Sequence, residues 1–466
     1  MTNKQYENLV DINKKSIFHP ASSINDVLNN GTSICLEGNG VNISTHNDGE
    51  LIDGMAGLWC VNIGYGREEI GQTMMNSANS MGYSHSFAST SNAPQIELSE
   101  KLLDLTRGVF SRVQYGSSGS DCIDTAIKLV RYYNNLRGKP EKKKIIARVN
   151  AYHGTTLAAA SVTGIEAFHN AFDLPIEGVL RAPKPHFFVD GKEGETEAQF
   201  TKRMLDEIET IVTNAGADTV AAFFAEPIYG AGGVITPPKG YFKGLRSLCD
   251  KYDILLLADE VITGYGRTGE WFAHQHYDYK PDLMTTAKGL TSGYFPLSAL
   301  YIGDKVWDVL VETADQLGVF FHGYTYSGHP TGCAVALKNI EILERENLIQ
   351  RAKESGAYMH AQFKEKLSGC PIIGEVRGAG LLAGLQIVKS KSPKTFFERS
   401  DKAAPSLQSA IREEKVLLRG LPSADTIAVS PSFVISKQQI DTLVAAVVNG
   451  ATKVQQQLSV DQETEI

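Results

Sequence analysis

Two short apolar runs in this chain end in residues that can do nucleophilic and acid–base chemistry. ILLLADEV, residues 254–261, carries Asp259 and Glu260 near its end, and DLMTTAK, residues 282–288, ends in Lys288. Apolarity that is continuous rather than alternating fits strands covered on both faces. In open α/β sheets, ligands bind at the carboxyl ends of such strands. An isolated aspartate there more often caps a helix or a turn. A lysine at the end of an apolar strand cannot easily carry its charge to water, and burial lowers its pKa toward that of a nucleophilic amine. An amine that attacks an aldehyde, together with an acid that holds a pyridinium proton, is what a pyridoxal cofactor needs.

A phosphate on such a cofactor needs its own cradle. GSSGSDCIDTAIKLVRYY, residues 116–133, runs from a Ser/Gly turn directly into a helical pattern, with Ile123, Ala126, Ile127, Val130 and Tyr133 at helical spacing. Backbone N–H groups at a helix start, with the hydroxyls of Ser118 and Ser120, suit a phosphate dianion. Taken alone this signal is weak, because Ser-Gly turns cap many helices. AYHGTT, residues 151–156, follows the apolar run KIIARV and places Tyr152 where a flat ring could stack on a flat cofactor. The stretch GAGGVI, residues 230–235, has neither the G-x-G-x-x-G spacing nor the lysine of a nucleotide-phosphate loop.

These motifs must be held by a sheet. KIIARV (144–149), TVAAFFAEP (219–227), ILLLADEV, DLMTTAK and LSALYIG (297–303) alternate with helical stretches such as 197–216, which predicts a mostly parallel α/β sheet. ICLEGNGVNISTHNDGELIDG near the start alternates around Asn, Gly and Asp, as antiparallel hairpins do. Helical patterns over 331–347 and 350–368, then the strand candidates LLAGLQIV and TIAVSPSFVI, predict a smaller α+β domain. The expected organisation is an N-terminal segment (1–75) that joins a C-terminal small domain (331–466), around a large domain (76–330).

Bulk properties exclude several classes. At 466 residues, with 42% apolar and 21% charged residues, the chain can bury a large core without disulfides or metals. A formal charge of -8 argues against nucleic acid as a partner. The six cysteines form no CxxC pair and no Cys/His cluster with metal-ligand spacing, so free thiols and no metal site are expected. The first fifteen residues do not resemble a signal peptide, and no uninterrupted apolar run reaches membrane-spanning length. A cytoplasmic location is expected.

Six blocks, SSGSDCIDTAIKLVR, AYHGTT, FFAEPIYGAGGVITPPKGYF, LLLADEVITGYGRTG, TTAKGLTSGYFPLSA and HGYTYSGHP, resemble the class III (ω-type) aminotransferases of pyridoxal-phosphate fold type I, in order and at matching intervals. With DGMAGLWCVNIGYG the resemblance covers nearly the whole chain, and it is especially close to the branch that uses pyruvate as amino acceptor. It implies that Lys288 forms the Schiff base with pyridoxal 5'-phosphate and that Asp259 pairs with the pyridine nitrogen. Val261 and Tyr152 would cover the two ring faces, and Gly119 and Ser120 would bind the phosphate. Tyr324 and Thr325 would reach that phosphate from a neighbouring subunit, making a homodimer the minimum unit and leaving a tetramer open. Trp59 would wall the substrate pocket beside Tyr152, and Arg419 would take the substrate carboxylate. Glu226 is expected to be structural or hydrogen-bonding.

The implied reaction moves an amino group from an amine or ω-amino acid to a keto acid, pyruvate by the branch. An aminomutase or decarboxylase on the same fold, or a silent cofactor-binding protein, are the alternatives. The sequence departs from the family pattern at Ser117, Asp121, Cys122 and Ile123, and at Pro431-Ser432, where paired prolines are usual.

Overall fold

The continuous apolar runs become the inner strands of a seven-stranded sheet. The computed structural model describes residues 3–421 and 423–464. Three N-terminal strands come first: β1 (Cys35–Asn39), β2 (Asn42–Thr45) and β3 (Gly49–Asp53). The large sheet follows, from β4 (Arg112–Gly116), β5 (Lys144–Arg148), β6 (Val179–Ala182), β7 (Val220–Ala225), β8 (Leu255–Asp259), β9 (Leu283–Thr286) and β10 (Ser298–Ile302). Its order is β4-β10-β9-β8-β7-β5-β6. All pairings from β9 through β6 are parallel, and only β10 runs against its two neighbours. The expected mostly parallel α/β sheet of fold type I is therefore present.

Strands β7, β8 and β9 are buried at every position because helices cover both faces. Those helices include Gly119–Leu136 and Glu197–Ala215. The strands absent from the expected pattern, β4 and β6, are the two edges of the sheet. Their side chains are only partly buried, so their composition lacks the continuous apolar signal.

The second half of the chain adds β11 (Ile373–Ala379), β12 (Leu382–Ile387), the short hairpin β13 (Ser390–Lys391) and β14 (Lys394–Thr395), then β15 (Val416–Leu417), β16 (Arg419–Leu421) and β17 (Thr426–Val429). One four-stranded sheet has the order β11-β12-β17-β16. Another has the order β1-β2-β3-β15, so it is assembled from both chain ends. Its one parallel pairing, β3 with β15, sets Ile52 against Val416 and Asp53 against Leu417. That register carries residue 59 and residue 419 toward one another across the length of the chain.

A buried guanidinium ties these parts together. Arg267, in the loop after β8, donates to the carbonyls of Leu381 (3.1 Å) and Pro431 (2.5 Å) and to Asn62 Oδ1 (2.6 Å). Its face lies 4.7 Å from the Phe433 ring centre. Burial holds this arginine down to about 9. It therefore bridges the large sheet's loop, the N-terminal segment and the C-terminal strands with charge-assisted bonds. Arg267→Ala should cost about 3–5 kcal/mol, because three buried acceptors lose their donor. A urea midpoint equal to that of the wild type would refute this.

Candidate active site

Because β4, β5, β7, β8 and β9 run in one direction, their carboxyl ends share one edge of the sheet. Strand β8 delivers Asp259 there, β7 delivers Glu226, β5 leads to Tyr152 and His153, β9 leads to Lys288, and β4 leads to the Ser118 cap.

Asp259 is buried and its carboxylate is doubly held. Oδ2 lies 2.7 Å from His153 Nδ1, and Oδ1 accepts the Val261 N–H at 3.1 Å. A carboxylate is an acceptor, so Nδ1 carries the proton in this pair. The other ring nitrogen, Nε2, is buried with no hydrogen-bond partner among the described residues. His153 is a site residue that the sequence reading did not single out, although it sits in the AYHGTT motif. Only the fold shows what its ring faces.

Glu226 is also buried, and its carboxylate accepts the N–H groups of Tyr152 (3.0 Å) and Gly230 (2.7 Å). Burial raises its pKa. These bonds agree with the expected hydrogen-bonding role, since they fix the backbone that presents Tyr152.

Lys288 stands opposite. Its backbone has φ +45°, a left-handed conformation for a residue with a side chain. Such a position costs about 1–3 kcal/mol and persists only where the surroundings determine it. Its ammonium has no hydrogen-bond or ion-pair partner among the described residues, and Nζ lies 5.3 Å from the Trp59 ring centre. Burial pulls its pKa down to about 8, and the nearby Cys60 thiol, Asp259 and Glu226 oppose that pull only in part. The result is an amine whose neutral fraction near neutral pH is well above that of a free lysine.

The candidate phosphate cradle lies at the start of helix Gly119–Leu136. Ser118 caps it, accepting the Asp121 N–H at 3.2 Å, while Asp121 Oδ2 accepts the N–H groups of Ser117 (2.8 Å) and Ser118 (3.0 Å). The Asp121 departure from the family pattern thus closes a capping box. A Cβ on Gly119 would lie 3.0 Å from Val261, and one on Gly154, at φ +135°, would lie 2.5 Å from Ser120 Oγ. Both glycines thus let Val261 and the Gly154 loop pack closely against the helix N-terminus, where backbone N–H groups favour an anion.

Trp59 and Arg419 complete the edge. The Arg419 guanidinium lies 5.0 Å from the Trp59 ring centre, with no ion-pair or hydrogen-bond partner among the described residues. Burial lowers its pKa, and the neighbouring Tyr152 works against this. Trp59 is buried in an apolar cluster with Met55, Ile228, Val234, Ile262 and Leu421. Tyr324 lies near the cradle: its hydroxyl donates to the Asp121 carbonyl at 3.0 Å. The Thr325 carbonyl accepts the Tyr83 hydroxyl at 2.8 Å.

A mostly parallel α/β sheet that brings a buried lysine, a braced aspartate and a helix N-terminus to one edge offers the groups that a phosphorylated aldehyde would need. Comparison with known proteins specifies the class. The aminotransferase class-III family profile matches residues 27–449. The diaminobutyrate–2-oxoglutarate transaminase of Halomonas elongata is 42% identical over 453 residues, spanning 96% of this chain and 97% of that protein. The putrescine–pyruvate aminotransferase of Pseudomonas aeruginosa is 40% identical over 416 residues, 89% of each chain. The crystal structure of the Pseudomonas jessenii ω-transaminase in complex with PMP superposes with a TM-score of 0.94 at 34% identity, covering 97% of this chain and 99% of that one. This chain belongs to the class-III aminotransferases, is a transaminase, and uses pyridoxal phosphate.

The residues present fit that cofactor, since the lysine, the aspartate and the glycine-lined cradle match its aldehyde, ring nitrogen and phosphate. Among the described residues no group of His, Cys, Asp and Glu could hold a metal, and no helix is long and apolar enough to cross a membrane. A Lys288 amine near pKa 8 is mostly protonated below that pH and mostly nucleophilic above it. Stopped-flow reloading of apoprotein with pyridoxal phosphate should therefore accelerate with pH through a midpoint near 8. A midpoint near that of a free lysine would refute the burial argument.

Proposed function

We propose that this enzyme transfers the amino group of an amine or ω-amino acid donor to pyruvate, releasing an aldehyde or ketone and L-alanine. The observation that carries the acceptor is Arg419, a guanidinium beside Trp59 with no anionic partner. Other buried arginines are engaged in the scaffold: Arg148 with the Glu226 carbonyl, Arg267 as described, and Arg377 with Glu375 and Gly233. One uncommitted guanidinium suits a keto acid with one carboxylate, held by paired hydrogen bonds. The Pseudomonas aeruginosa relative named for pyruvate supports this, and the Halomonas relative named for 2-oxoglutarate supplies the rival acceptor.

Pyridoxal phosphate, when bound, supplies an electrophilic aldehyde and a ring that takes up negative charge from the substrate carbon. Lys288 gives its Nζ as the covalent anchor for that aldehyde and, once displaced by the donor, removes the proton from the carbon bearing the amine. Asp259 keeps the ring nitrogen protonated, with His153 and the Val261 N–H holding its carboxylate. Tyr152 and Val261 cover the ring faces, and Gly119 and Ser120 hold the phosphate. Trp59 and Tyr152 bound the donor's pocket. We assign Tyr324 and Thr325 to the phosphate of a second copy of the chain, in a homodimer. The exposure of Phe321 (88%) and Tyr326 (59%) on that segment supports the assignment, because apolar surface of this kind favours a partner. All six cysteines are free, which supports the reducing cytoplasm as its location.

Lys288→Ala should abolish turnover, and Asp259→Asn should lower kcat by about a hundredfold or more, because a neutral amide does not hold the ring proton. Near-normal steady-state rates in either variant would refute the assignment. Arg419→Leu should raise KM for pyruvate by about tenfold or more with little change for a donor lacking a carboxylate. Alanine from pyruvate and glutamate from 2-oxoglutarate, assayed side by side, decide the acceptor. Faster glutamate formation would overturn pyruvate, and carbon dioxide release without a carbonyl product would indicate a decarboxylase.

A further inference from the structure

The Trp59 indole has the cations of both Lys288 and Arg419 against it, so its placement sets the space a donor can use. That placement is locally unfavourable. The turn carrying it has three residues at positive φ, Ala56 (+49°), Gly57 (+68°) and Trp59 (+58°). A bulky aromatic residue rarely adopts this backbone unless other groups impose it.

The imposing group is the carboxylate of Asp53, the last residue of β3, which is 1% exposed. Oδ1 accepts the Met55 N–H at 2.9 Å, and Oδ2 accepts the Gly57 N–H at 2.6 Å and the Tyr65 hydroxyl at 2.7 Å. No cation forms an ion pair with Asp53 among the described residues, so these three donors, with the Arg267 charge further off, compensate its burial. Tyr65 is itself anchored. Its backbone exchanges hydrogen bonds with Gly40 at 2.8 and 3.1 Å, and its ring fills the space beside Gly38, where a Cβ would come within 2.7 Å. Burial and the neighbouring carboxylate both raise the Tyr65 pKa, which keeps its hydroxyl a donor. The turn then closes on its own backbone, with Trp59 N–H to the Met55 carbonyl at 3.1 Å and Cys60 N–H to the Ala56 carbonyl at 2.9 Å.

We propose that Asp53 and Tyr65 are positioning residues for donor selectivity, acting together as a clamp that holds the Met55–Cys60 turn and thereby the Trp59 indole against Lys288 and Arg419. This rests on Trp59 being a wall of the donor pocket, as assigned above. Neither clamp residue bonds to Lys288, Asp259 or Arg419, so the clamp acts through the position of the indole alone. Loosening it enlarges the pocket on the Trp59 side and weakens the grip on small donors.

Tyr65→Phe is the informative variant, because it keeps the ring against Gly38 and deletes one of the three donors. Asp53→Asn is the stronger one, since the amide places a donor against an N–H or the hydroxyl. The holoenzymes are compared with 1,4-diaminobutane and 1-phenylethylamine as donors at saturating pyruvate. The ratio of kcat/KM, bulky donor over small, should rise by about tenfold in Tyr65→Phe, carried by KM, with kcat for the small donor changed less than about twofold. Acrylamide quenching of tryptophan fluorescence should rise in the same variant, and the rise should vanish once Trp59→Phe is added. An unchanged ratio with unchanged quenching overturns the clamp. Greater quenching with an unchanged ratio overturns the selectivity role and Trp59 as a pocket wall. A wild-type enzyme that turns over neither amine overturns the proposed donor class, while the quenching pair still tests whether the clamp holds Trp59. Should Asp53→Asn fail to fold, Tyr65→Phe decides alone.

Discussion

The shared direction of the inner strands is the constraint on which this protein depends. Parallel pairing of β5, β7, β8 and β9 brings their carboxyl ends to one edge, and the residues at or just beyond those ends include Tyr152, Glu226, Asp259 and Lys288. Were β8 reversed, Asp259 would lie a strand's length from Lys288. Parallel strands need crossover connections, and the covering helices supply them. The same helices make both faces apolar. The chemistry and the core are therefore consequences of one topological choice.

Around that edge the charges are arranged so that an amine stays reactive. Burial lowers the proton affinity of Lys288, yet Cys60, Asp259 and Glu226 are close enough to limit the loss. Each carboxylate is occupied elsewhere, Asp259 by His153 and the Val261 N–H, and Glu226 by the N–H groups of Tyr152 and Gly230. Neither is left to form a direct salt bridge with the lysine, which would raise its pKa and quench its nucleophilicity. The left-handed backbone at Lys288 belongs to the same arrangement, since strain tolerated at one residue places its amine where the fold needs it.

The donor side is built differently. Trp59 and Arg419 lie 360 positions apart in number, and the parallel pairing of β3 with β15 brings them into contact. Arg267 then locks the N-terminal segment to the C-terminal strands through Asn62 and the Pro431 carbonyl. Ser432, at the position of the usual second proline, donates its hydroxyl to the Asn62 carbonyl at 2.9 Å. The departure from the family pattern thus adds a bond to the same junction. Lys288 and Asp259 sit on the rigid sheet, whereas Trp59 and Arg419 sit on the joint between the chain ends.

The sequence by itself determined the buried strands, their order along the chain and the chemical groups at their ends. Continuous apolarity and helical spacing are local properties, legible without any contact map. The capped helix start at Ser118 and Gly119 was readable for the same reason, because a cap is local. The edge strands β4 and β6 escaped notice because half-exposed strands lack that pattern. Tertiary structure alone decided that His153 faces Asp259, that Glu226 holds the Tyr152 backbone, and that Asp53 and Tyr65 close on the Trp59 turn. These are contacts made by side chains and loop backbone, set by strand pairing and loop geometry. A histidine, a glutamate or an aspartate carries no local mark of the partner it will meet.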